Sequence, residues 1–528
     1  MSSWFQKNRR KTAFSVLLIL SGIAFWRCLP DPLFQEPLST VLFSRNGQLL
    51  GAKIAADEQW RFPSTGKVPE KFRAAVVAYE DKRFFRHPGV DPLALARAMR
   101  LNLSRGRVVS GGSTLNMQVI RLSRRNPRRT YFEKLKEIIL ALRLELGYSK
   151  EEILALYSSY APFGGNTVGL EAAAWRYFGR GADRLSWAES CILAVLPNNP
   201  SMIHPGKNRR FLIEKRNGLL RRLNGMGVIS NLETELAILE PLPEKPVPMP
   251  RTSPHLLETL VSKTDAGRHR LVSTLDEGLQ TAARDIVRQR SKALGLRGIR
   301  NAAALVVDNQ TFEVLAYVGN SDYSSAYETG YAVDIVRRPR STGSILKPLL
   351  FAAMIQEGEI LPDTLVPDIP TRYQGYMPEN YDRRYRGAVP AKVALARSLN
   401  VPAVRMLKKY GIDRFYDLLK HMEMTTLHRP PEEYGLTLIL GGAEGTLWDI
   451  TGMYANLANI AGSGSIAGKE TYKRLKTLDT EEVSSDRLSE IGSGAAWITL
   501  DSLLEVSRPG NEGYWKNFSS SMKIAWKF

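Results

Sequence analysis

A cluster of prolines constrains the fold of this chain more than any other local feature. Prolines recur at short intervals from Pro241 to Pro254. Proline fixes the backbone φ angle and lacks an N–H donor, so this stretch cannot be a helix interior and is typical of a stiff connector. With 528 residues, the chain is long enough for a separate core on each side. We therefore predict a multidomain protein with a Pro-rich linker over residues 241–265.

Residues 1–30 predict a cytoplasmic tip and a membrane anchor. Basic residues at positions 7–11 precede an apolar run from Thr12 to Trp26. At ~1.5 Å per residue this run is short for a ~30 Å hydrocarbon core, so Arg27 must snorkel toward the interface. A cleaved signal peptide is the alternative, but no A-x-A-like cleavage site follows the run. The positive-inside rule then predicts a single-pass protein of the cytoplasmic membrane, with everything after Asp31 outside.

The charge of the chain favours an anionic partner or surface. Lys and Arg number 73 against 53 Asp and Glu, which leaves a net charge of +20. Nucleic acid, anionic lipid headgroups and a pyrophosphate substrate all fit this charge. We expect a membrane partner and no nucleic acid, because the predicted location is external and no nucleic-acid module is recognised.

Cysteine and histidine content predicts neither a disulfide framework nor a metal site. Only Cys28 and Cys191 are present, and the six histidines are scattered. Cys191 lies in an apolar stretch, where a small buried thiol is expected. No cofactor is evident from the sequence.

The first half, residues 31–240, has the periodicity of a mostly α domain. Apolar residues recur at three- and four-residue spacing, as in Phe132 to Gly147 and Lys150 to Tyr157. Three segments also carry polar groups suited to chemistry at a sugar or a phosphate. They are E-D-x-x-F-x-x-H-P-G from Glu80 to Gly89, G-G-S-T-x-x-x-Q over residues 111–118, and the pair Lys134 and Glu137.

Each of these segments has a functional interpretation and a purely structural one. A glycine and hydroxyl turn before a helix offers backbone N–H groups to an anion or a sugar. Lys134 and Glu137 stand one helical turn apart and project from one face toward a common site. Taken alone, however, the first segment is typical of a capped surface helix. The lysine and glutamate could equally form an exposed ion pair, worth roughly a few tenths of a kcal/mol.

Together the segments resemble the glycosyltransferase domain of class A penicillin-binding proteins, the family 51 enzymes that polymerise lipid II. The motifs occur in family order at family-like spacing, and K-x-x-I-L-x-x-Y follows at Lys150 to Tyr157. The resemblance implies a lysozyme-like domain that joins a sugar 4-hydroxyl to an anomeric carbon carrying a lipid pyrophosphate. It implies lipid II and the growing glycan strand as partners, and leaves open whether a divalent cation assists the pyrophosphate.

The resemblance also assigns roles to residues. The reaction needs a base at the hydroxyl and positive charge at the leaving group. Glu80 occupies the position of the base, and Glu137 that of a second glutamate that organises the pyrophosphate side. Lys134 and Arg121 match basic positions that neutralise the phosphates. The other matching substrate-binding positions are Asp81, Phe84, His87, Gly112, Ser113, Thr114 and Gln118.

The chain departs from the family pattern at three places. Glu133 stands where arginine is usual, which removes a positive charge beside the pyrophosphate site. Asn116 stands where threonine or proline is commoner. Ser158 and Ser159 replace the usual Leu-Asn after the tyrosine.

The second half, residues 266–528, predicts an α/β domain. A hairpin is predicted from Asn301 to Gly319, where two apolar runs flank a polar turn. Helices are predicted from Ser344 to Gln356 and around Ala391 to Tyr410, and a terminal strand begins at residues 523–526.

Three short motifs in this half belong to a serine acyl-transfer site. They are S-x-x-K at Ser344 to Lys347, S-x-N at Ser398 to Asn400, and Lys527 as the start of K-T-G. The set is similar to that of penicillin-binding proteins and β-lactamases, and its setting looks like the 1C type. By that resemblance Ser344 is the nucleophile, Lys347 its base, Ser398 a proton relay and Asn400 a contact for the substrate amide. Lys527 joins the substrate-binding positions.

Family members continue beyond this lysine with further strands of a five-stranded sheet. We therefore expect an incomplete transpeptidase domain, inactive and not acylated by β-lactams at Ser344. The predicted function is a membrane-bound peptidoglycan glycosyltransferase of cell wall synthesis. A non-catalytic envelope scaffold that binds glycan is the alternative, favoured by Glu133 and the incomplete second half.

Overall fold

The computed structural model describes residues 15–106, 111–128, 130–198, 208–263, 267–321, 330–373, 375–505 and 524–527. The chain forms two compact units. The first contains residues 1–42, 49–251 and 263–271, and the second contains residues 43–48, 252–262 and 272–528. The prolines from Pro241 to Pro250 lie outside any helix or strand, as their missing N–H donors require.

The first unit is built mainly of α-helices, in agreement with the periodicity of the sequence. Its helices are α1 (residues 15–26), α2 (Glu70–Glu80), α3 (Pro92–Arg105), α4 (Leu115–Ser123), α5 (Tyr131–Gly147), α6 (Lys150–Tyr160), α7 (Leu170–Phe178), α8 (Trp187–Val195), α9 (Arg209–Gly225) and α10 (Asn231–Leu239). Single 3-10 turns occur at Phe84–Arg86, Ala182–Arg184 and Leu196–Asn198.

Short strands complete the first unit. They are β1 (Thr40–Phe43), β2 (Leu49–Lys53), β3 (Trp60–Arg61), β4 (Pro162–Gly164), β5 (Thr167–Val168) and β6 (Arg270–Val272). One sheet has the order β2-β1-β6 and the other β3-β5-β4. In the second sheet β3 and β5 are parallel, and β4 and β5 are antiparallel.

Three helices of the first unit start at a serine with glutamate three residues later. The serines are Ser149, Ser186 and Ser230, and each forms a capping box with its glutamate. The hydroxyl satisfies a free N–H of the first turn, and the glutamate reaches back to the serine N–H. These reciprocal bonds fix where α6, α8 and α10 begin.

The core of the first unit contains aromatic and aliphatic side chains from most of its helices. Phe72, Phe84, Tyr157 and Phe163 are almost fully buried. Cys191 lies in the same core, as expected from its apolar surroundings. Burial raises the pKa of its thiol to about 12, so the group stays neutral at physiological pH.

A buried arginine caps the C-terminal end of α10. The side chain of Arg216 on α9 is almost fully buried. Its Nη1 donates to the carbonyl of Glu240 at 2.6 Å, and its Nη2 to that of Ile238 at 2.9 Å. These carbonyls lack intrahelical partners at a helix C-terminus, where a cation is favoured by the helix dipole.

The second unit mixes helices with short antiparallel strands. Its helices are α11 (Pro254–Lys263), α12 (Glu277–Gly295), α13 (Lys347–Gln356), α14 (Ala391–Ala396), α15 (Asn400–Tyr410), α16 (Ile412–His421), α17 (Pro431–Tyr434), α18 (Leu447–Ser463) and α19 (Ser493–Leu504). Its strands are β7 (Ala304–Val307), β8 (Val314–Val318), β9 (Arg340–Ser341), β10 (Leu365–Asp368), β11 (Gly387–Pro390), β12 (Glu444–Gly445), β13 (Thr471–Lys473) and β14 (Ser484–Leu488). Single 3-10 segments occur at Ile335–Arg337 and Gly435–Leu440.

Sheet pairing confirms the predicted hairpin. β7 pairs antiparallel with β8, in a register that places Ala304 opposite Val318. The other antiparallel pairs are β9 with β12, β10 with β11 and β13 with β14. Within the described part of the chain, these strands form two-stranded sheets, and a five-stranded sheet is not formed.

Three predicted boundaries in the second unit were wrong. Helix α13 begins at Lys347 rather than Ser344, because the preceding residues form a turn. The segment from Ala391 to Tyr410 is two helices, broken where Ser398 adopts a left-handed φ of 54°. Residues 524–527 are not a strand. The Trp526 N–H instead donates to the Leu503 carbonyl at the end of α19. The tertiary contact with this helix thus outweighs the strand propensity of the segment.

The predicted anchor lies only partly within the described residues. Its basic residues and the start of its apolar run fall outside them, and α1 covers residues 15–26. Among the residues that the structure describes, no helix is both long and apolar enough to cross a membrane.

Two glycines of the first unit allow a test of backbone strain against steric clash. Gly89 has φ +87°, and a Cβ there would lie 2.6 Å from the Ala141 carbonyl oxygen. Gly66 has φ +72° with open space around it. We expect Gly66→Ala to cost roughly 1–2 kcal/mol from the left-handed backbone. Gly89→Ala should cost roughly 1–3 kcal/mol more from the clash. Denaturant unfolding of the full chain measures both, and equal losses would contradict this account of Gly89.

Candidate functional site

Glu80 ends α2 with a buried carboxyl group. Its Oε2 accepts a hydrogen bond from Gln118 Nε2 at 2.8 Å. Its Oε1 is buried and has no hydrogen-bond partner among the described residues. Burial raises the pKa of Glu80, and the Gln118 hydrogen bond and the charge of Lys215 partly oppose this. One carboxyl oxygen is therefore held in place while the other can accept a proton.

Asp81 ties three segments of the site together. The His87 ring donates from Nε2 to Asp81 Oδ2 at 3.0 Å, and the Leu115 N–H donates to the same oxygen at 3.0 Å. Both Asp81 and His87 are buried. The Thr114 hydroxyl caps α4 and donates to the Gly89 carbonyl at 2.7 Å. The end of α2, the turn after it and the start of α4 thus form one hydrogen-bonded assembly.

Two further predicted positions shape the same assembly. Phe84 is fully buried, and the Lys150 ammonium lies 4.6 Å from the centre of its ring. Gly112 packs tightly, because a Cβ there would lie 2.9 Å from Leu95 Cα. Both residues therefore support the site through packing.

A cluster of cations surrounds Glu137 on α5. Arg121 donates to both oxygens of this carboxylate, from Nε at 2.7 Å and from Nη2 at 2.9 Å. Lys134 Nζ lies 3.3 Å from Glu137 Oε2 and donates to the Ser113 hydroxyl at 2.7 Å. Burial alone would raise the pKa of Glu137, but Arg121 and Lys134 hold it below its ordinary value.

The two parts of the site lie on one face of α4. Gln118 contacts Glu80 and Arg121 contacts Glu137, and the two residues are three apart on the helix. Residues at this spacing are neighbours on a helix surface. The arrangement can therefore accept a proton at one end and bind an anion at the other.

Glu133 and Asn116, two residues that depart from the family pattern, both form polar contacts in the structure. Glu133 forms ion pairs with Arg124 at 2.6 Å and Lys136 at 3.1 Å. These two cations, Lys136 first, hold the pKa of Glu133 below its ordinary value. Asn116 donates from Nδ2 to Glu145 Oε2 at 2.8 Å.

Two residues near Glu80 were not assigned a role from the sequence. Lys215 on α9 donates to the Tyr79 hydroxyl at 3.2 Å, and its charge acts on Glu80. Tyr157 on α6 is buried, and Glu80 contributes to the raised pKa of its phenol. Tyr157 belongs to a motif that the sequence analysis quoted, whereas Lys215 lies in a basic helix without a motif.

A second cluster forms around Lys347 in the second unit. Lys347 Nζ donates to the Ser398 carbonyl at 2.8 Å and to Asn400 Oδ1 at 2.7 Å. Lys527 Nζ donates to the Ser398 hydroxyl at 2.6 Å. Burial lowers the pKa of Lys347 to about 7, and the charge of Lys527 adds to this effect. The three predicted motifs therefore meet in space.

Ser344 lies in the turn that precedes α13. Its carbonyl accepts from the Lys347 N–H at 3.2 Å. Within the described residues, the side-chain hydrogen bonds of Lys347 go to Ser398 and Asn400, and none reaches the Ser344 hydroxyl.

The described residues contain no group of three or more histidine, cysteine, aspartate or glutamate side chains that could hold a metal ion. Both oxygens of Glu137 are engaged by Arg121 and Lys134. Arg121 and Lys134 therefore carry positive charge directly beside Glu137.

Comparison with known proteins identifies both units. Residues 46–224 match the Transglycosylase family, and residues 302–437 match the family described as Penicillin binding protein transpeptidase domain. A transglycosylase domain followed by a penicillin-binding transpeptidase domain defines a two-domain class. The chain belongs to the class A penicillin-binding proteins.

Individual relatives resemble most of the chain. Penicillin-binding protein 1C of Escherichia coli (strain K12) is 35% identical over 93% of this chain and 62% of its own length. Penicillin-binding protein 1F of Bacillus subtilis (strain 168) is 32% identical over 72% of this chain and 54% of its own length. Penicillin-binding protein 1B of Vibrio cholerae is 30% identical over 89% of this chain and 62% of its own length. The chain thus spans less than two thirds of these relatives.

The surroundings of Lys347 predict that its ammonium group has an unusually low pKa. We expect the Lys347 amine to titrate near pH 7 and Lys527→Met to raise this midpoint, because one nearby positive charge is lost. The unfolded chain binds this proton more readily, so folding stability should rise with pH between about 7 and 10.5. NMR of methyl-labelled lysines in the full chain measures the midpoint. Lys292→Met removes an exposed lysine of the same unit as a control, and a midpoint near 10.5 would refute the assignment.

Proposed function

We propose that this protein is a membrane-anchored peptidoglycan glycosyltransferase that polymerises lipid II into glycan strands. The observation that carries the proposal is the pairing of a buried carboxyl group with a cation cluster on one face of α4. Glu80 is bound by Gln118 and has one oxygen without a partner among the described residues. Arg121, one helical turn after Gln118 on α4, and Lys134 both contact Glu137. Family membership supports the same activity.

In the proposed reaction Glu80 acts as the general base. The 4-hydroxyl of the acceptor sugar donates its proton to Glu80 as its oxygen attacks the anomeric carbon of the donor. The raised pKa of Glu80 makes its carboxylate a stronger proton acceptor than an exposed glutamate. The Gln118 hydrogen bond orients the carboxyl group without occupying its second oxygen.

The cation cluster stabilises the leaving group. As the bond between the anomeric carbon and the pyrophosphate breaks, negative charge develops on the departing lipid pyrophosphate. Lys134 and Arg121 can bind this charge, and the Ser113 hydroxyl lies between them. Glu137 fixes both cations before the substrate arrives, so little reorganisation is needed during the reaction.

Exposed apolar side chains support membrane attachment. On α3, Leu93, Met99 and Leu103 are exposed, and on α5 so are Phe132 and Leu146. A bilayer, in which the lipid part of the substrate also resides, would cover exposed apolar side chains of this kind.

The N-terminal segment is proposed to stay attached as a single-pass anchor with its tip in the cytoplasm. The basic residues before the apolar run and the missing cleavage site support this. We expect N-terminal sequencing of membrane-extracted protein to give the start of the chain. A mature N-terminus near Asp31 would rule out the anchor.

The proposal assigns glycan polymerisation to the first unit. We also predict that the second unit does not transfer acyl groups. The alternative, a scaffold that binds glycan without turnover, is separated from the proposal by the same polymerisation assay.

The role of Glu80 is tested by Glu80→Gln in the detergent-solubilised full chain. We expect the rate of lipid II polymerisation to fall ~100- to 10,000-fold, because the acceptor hydroxyl loses its base. The wild-type rate should rise as pH rises through the raised pKa of Glu80, since only the carboxylate accepts the proton.

The matched control is Glu171→Gln on α7. Burial raises the pKa of Glu171 as well, but this carboxyl group accepts a hydrogen bond from the Ala182 N–H, which does not belong to α4. We expect near wild-type polymerisation from this variant. A Glu80→Gln variant that keeps more than about half of the wild-type rate would remove Glu80 from the mechanism.

A further inference from the structure

A basic cavity of about 280 Å³ lies in the second unit at the end of α12. Its described lining includes three cations and three hydroxyl groups, and no acidic residue. The cations are Arg288, Lys292 and Arg300, and the hydroxyl groups belong to Ser291, Ser321 and Tyr331. The volume is just below the roughly 300–1,000 Å³ of small-molecule sites, so the cavity fits a single head group.

The three cations of this cavity have no carboxylate to neutralise them. From Ile286 to Val307 the chain contains five basic residues and no acidic one. Asp285, just before this segment, pairs with Arg284 at 3.3 Å. Within the part of the chain that the structure describes, the three cations form no ion pair. Like charges around one cavity repel each other, so an anion bound among them is stabilised.

The C-terminus of α12 accounts for only part of this positive charge. Lys292 lies in the last turn of the helix, where the dipole acts as about half a negative charge. The carbonyls of Leu294 and Gly295 already accept hydrogen bonds from the N–H groups of Ile299 and Gly298. The three cations therefore leave a surplus of roughly two and a half positive charges at the cavity.

Two buried serines fix the backbone of Arg300 at the cavity. The hydroxyls of Ser291 and Ser321 each donate to the Arg300 carbonyl at 2.8 Å. Ser291 lies on α12 and Ser321 follows β8, so these bonds join two segments of the unit. The site is thus largely formed before a ligand arrives, which lowers the cost of ordering it.

The number and type of the cations favour phosphate over a carboxylate. The planar guanidinium groups of Arg288 and Arg300 can each form two parallel hydrogen bonds to phosphate oxygens, and the Lys292 ammonium adds a point charge. A phosphate monoester carries about −1.5 to −2 charges at pH 7 and has three acceptor oxygens. It can therefore engage all three cations and neutralise most of the surplus. A carboxylate has a single charge and too few oxygens to do so.

Two apolar side chains are exposed in the turn that follows α12. Leu296 is 92% exposed and Ile299 is 50% exposed. They adjoin Gly295 and Arg300 in the sequence, and both of these residues line the cavity. An apolar group beside a cluster of cations suits an anionic lipid, whose acyl chains lie next to its phosphate.

We propose that this cavity binds the phosphate group of a phosphate ester. It shares no residue with the glycosyltransferase site or with the Lys347 cluster, and the inference does not depend on the proposed function. Two sources can supply the same phosphate chemistry, an anionic lipid head group and a water-soluble phosphate ester. The exposed apolar side chains favour the lipid. A lipid bound there attaches the second unit to the membrane surface independently of the N-terminal anchor.

Isothermal titration calorimetry of the full chain with glycerol phosphate, in an uncharged detergent, tests the site. We expect Arg288→Gln and Arg300→Gln each to weaken binding about tenfold, because each removes charge-assisted hydrogen bonds. Arg290→Gln is the matched control, since it removes the same charge from the same helix but does not line the cavity. Acetate should bind about tenfold more weakly than glycerol phosphate.

The variants also locate the bound phosphate. Glycerol phosphate bound at Arg121 and Lys134 of the first unit would not respond to them. The site is overturned if the wild type does not bind glycerol phosphate or if the two cavity variants bind it as Arg290→Gln does. Equal affinity for acetate would overturn the assignment to phosphate.

A second probe distinguishes the two sources of phosphate. Dihexanoyl phosphatidic acid has the head group of glycerol phosphate and two short acyl chains. We expect it to bind the wild type more tightly than glycerol phosphate does. Leu296→Ser should remove this difference, because serine offers little apolar surface to the chains. Equal affinity of the two probes for the wild type would assign the site to a water-soluble phosphate ester.

Discussion

The buried carboxylate of Asp81 is the interaction on which the glycosyltransferase site depends. It accepts hydrogen bonds from the His87 ring and from the Leu115 N–H at the start of α4. Negative charge at a helix N-terminus is favoured by the helix dipole, and such charge-assisted hydrogen bonds are stronger than neutral ones. Because Asp81 directly follows Glu80, this contact fixes the backbone of Glu80 against the helix that carries Gln118. Loss of the Asp81 carboxylate would therefore misplace the base without removing it.

The first unit was largely predictable because its signals are local. Helical periodicity depends only on neighbouring residues, and α5 and α6 match the predicted ranges closely. The Lys134 and Glu137 contact followed from helical spacing alone. Lys215 was missed because it reaches Tyr79 from a helix far along the sequence, and no local pattern encodes that contact.

One error in the second unit, the continuous helix predicted from Ala391 to Tyr410, has a clear physical origin. The break between α14 and α15 depends on Ser398, whose left-handed backbone is unusual for a residue other than glycine. The Asn400 N–H and the Val401 N–H both donate to the Asn380 side chain, which replaces the helix bonds that a continuous helix would form. These contacts are long-range, so apolar periodicity from Ala391 to Tyr410 could not reveal them.

The buried Arg216 links the stability of α10 to that of the whole first unit. Its guanidinium remains charged at any physiological pH, and its donors are satisfied by the last carbonyls of α10 and by Asn217. If α10 frayed by itself, this charge would be left in the core with Asn217 as its one remaining acceptor among the three. Amide hydrogen exchange along α10 should therefore follow global unfolding, so that a terminal helix exchanges as slowly as the core.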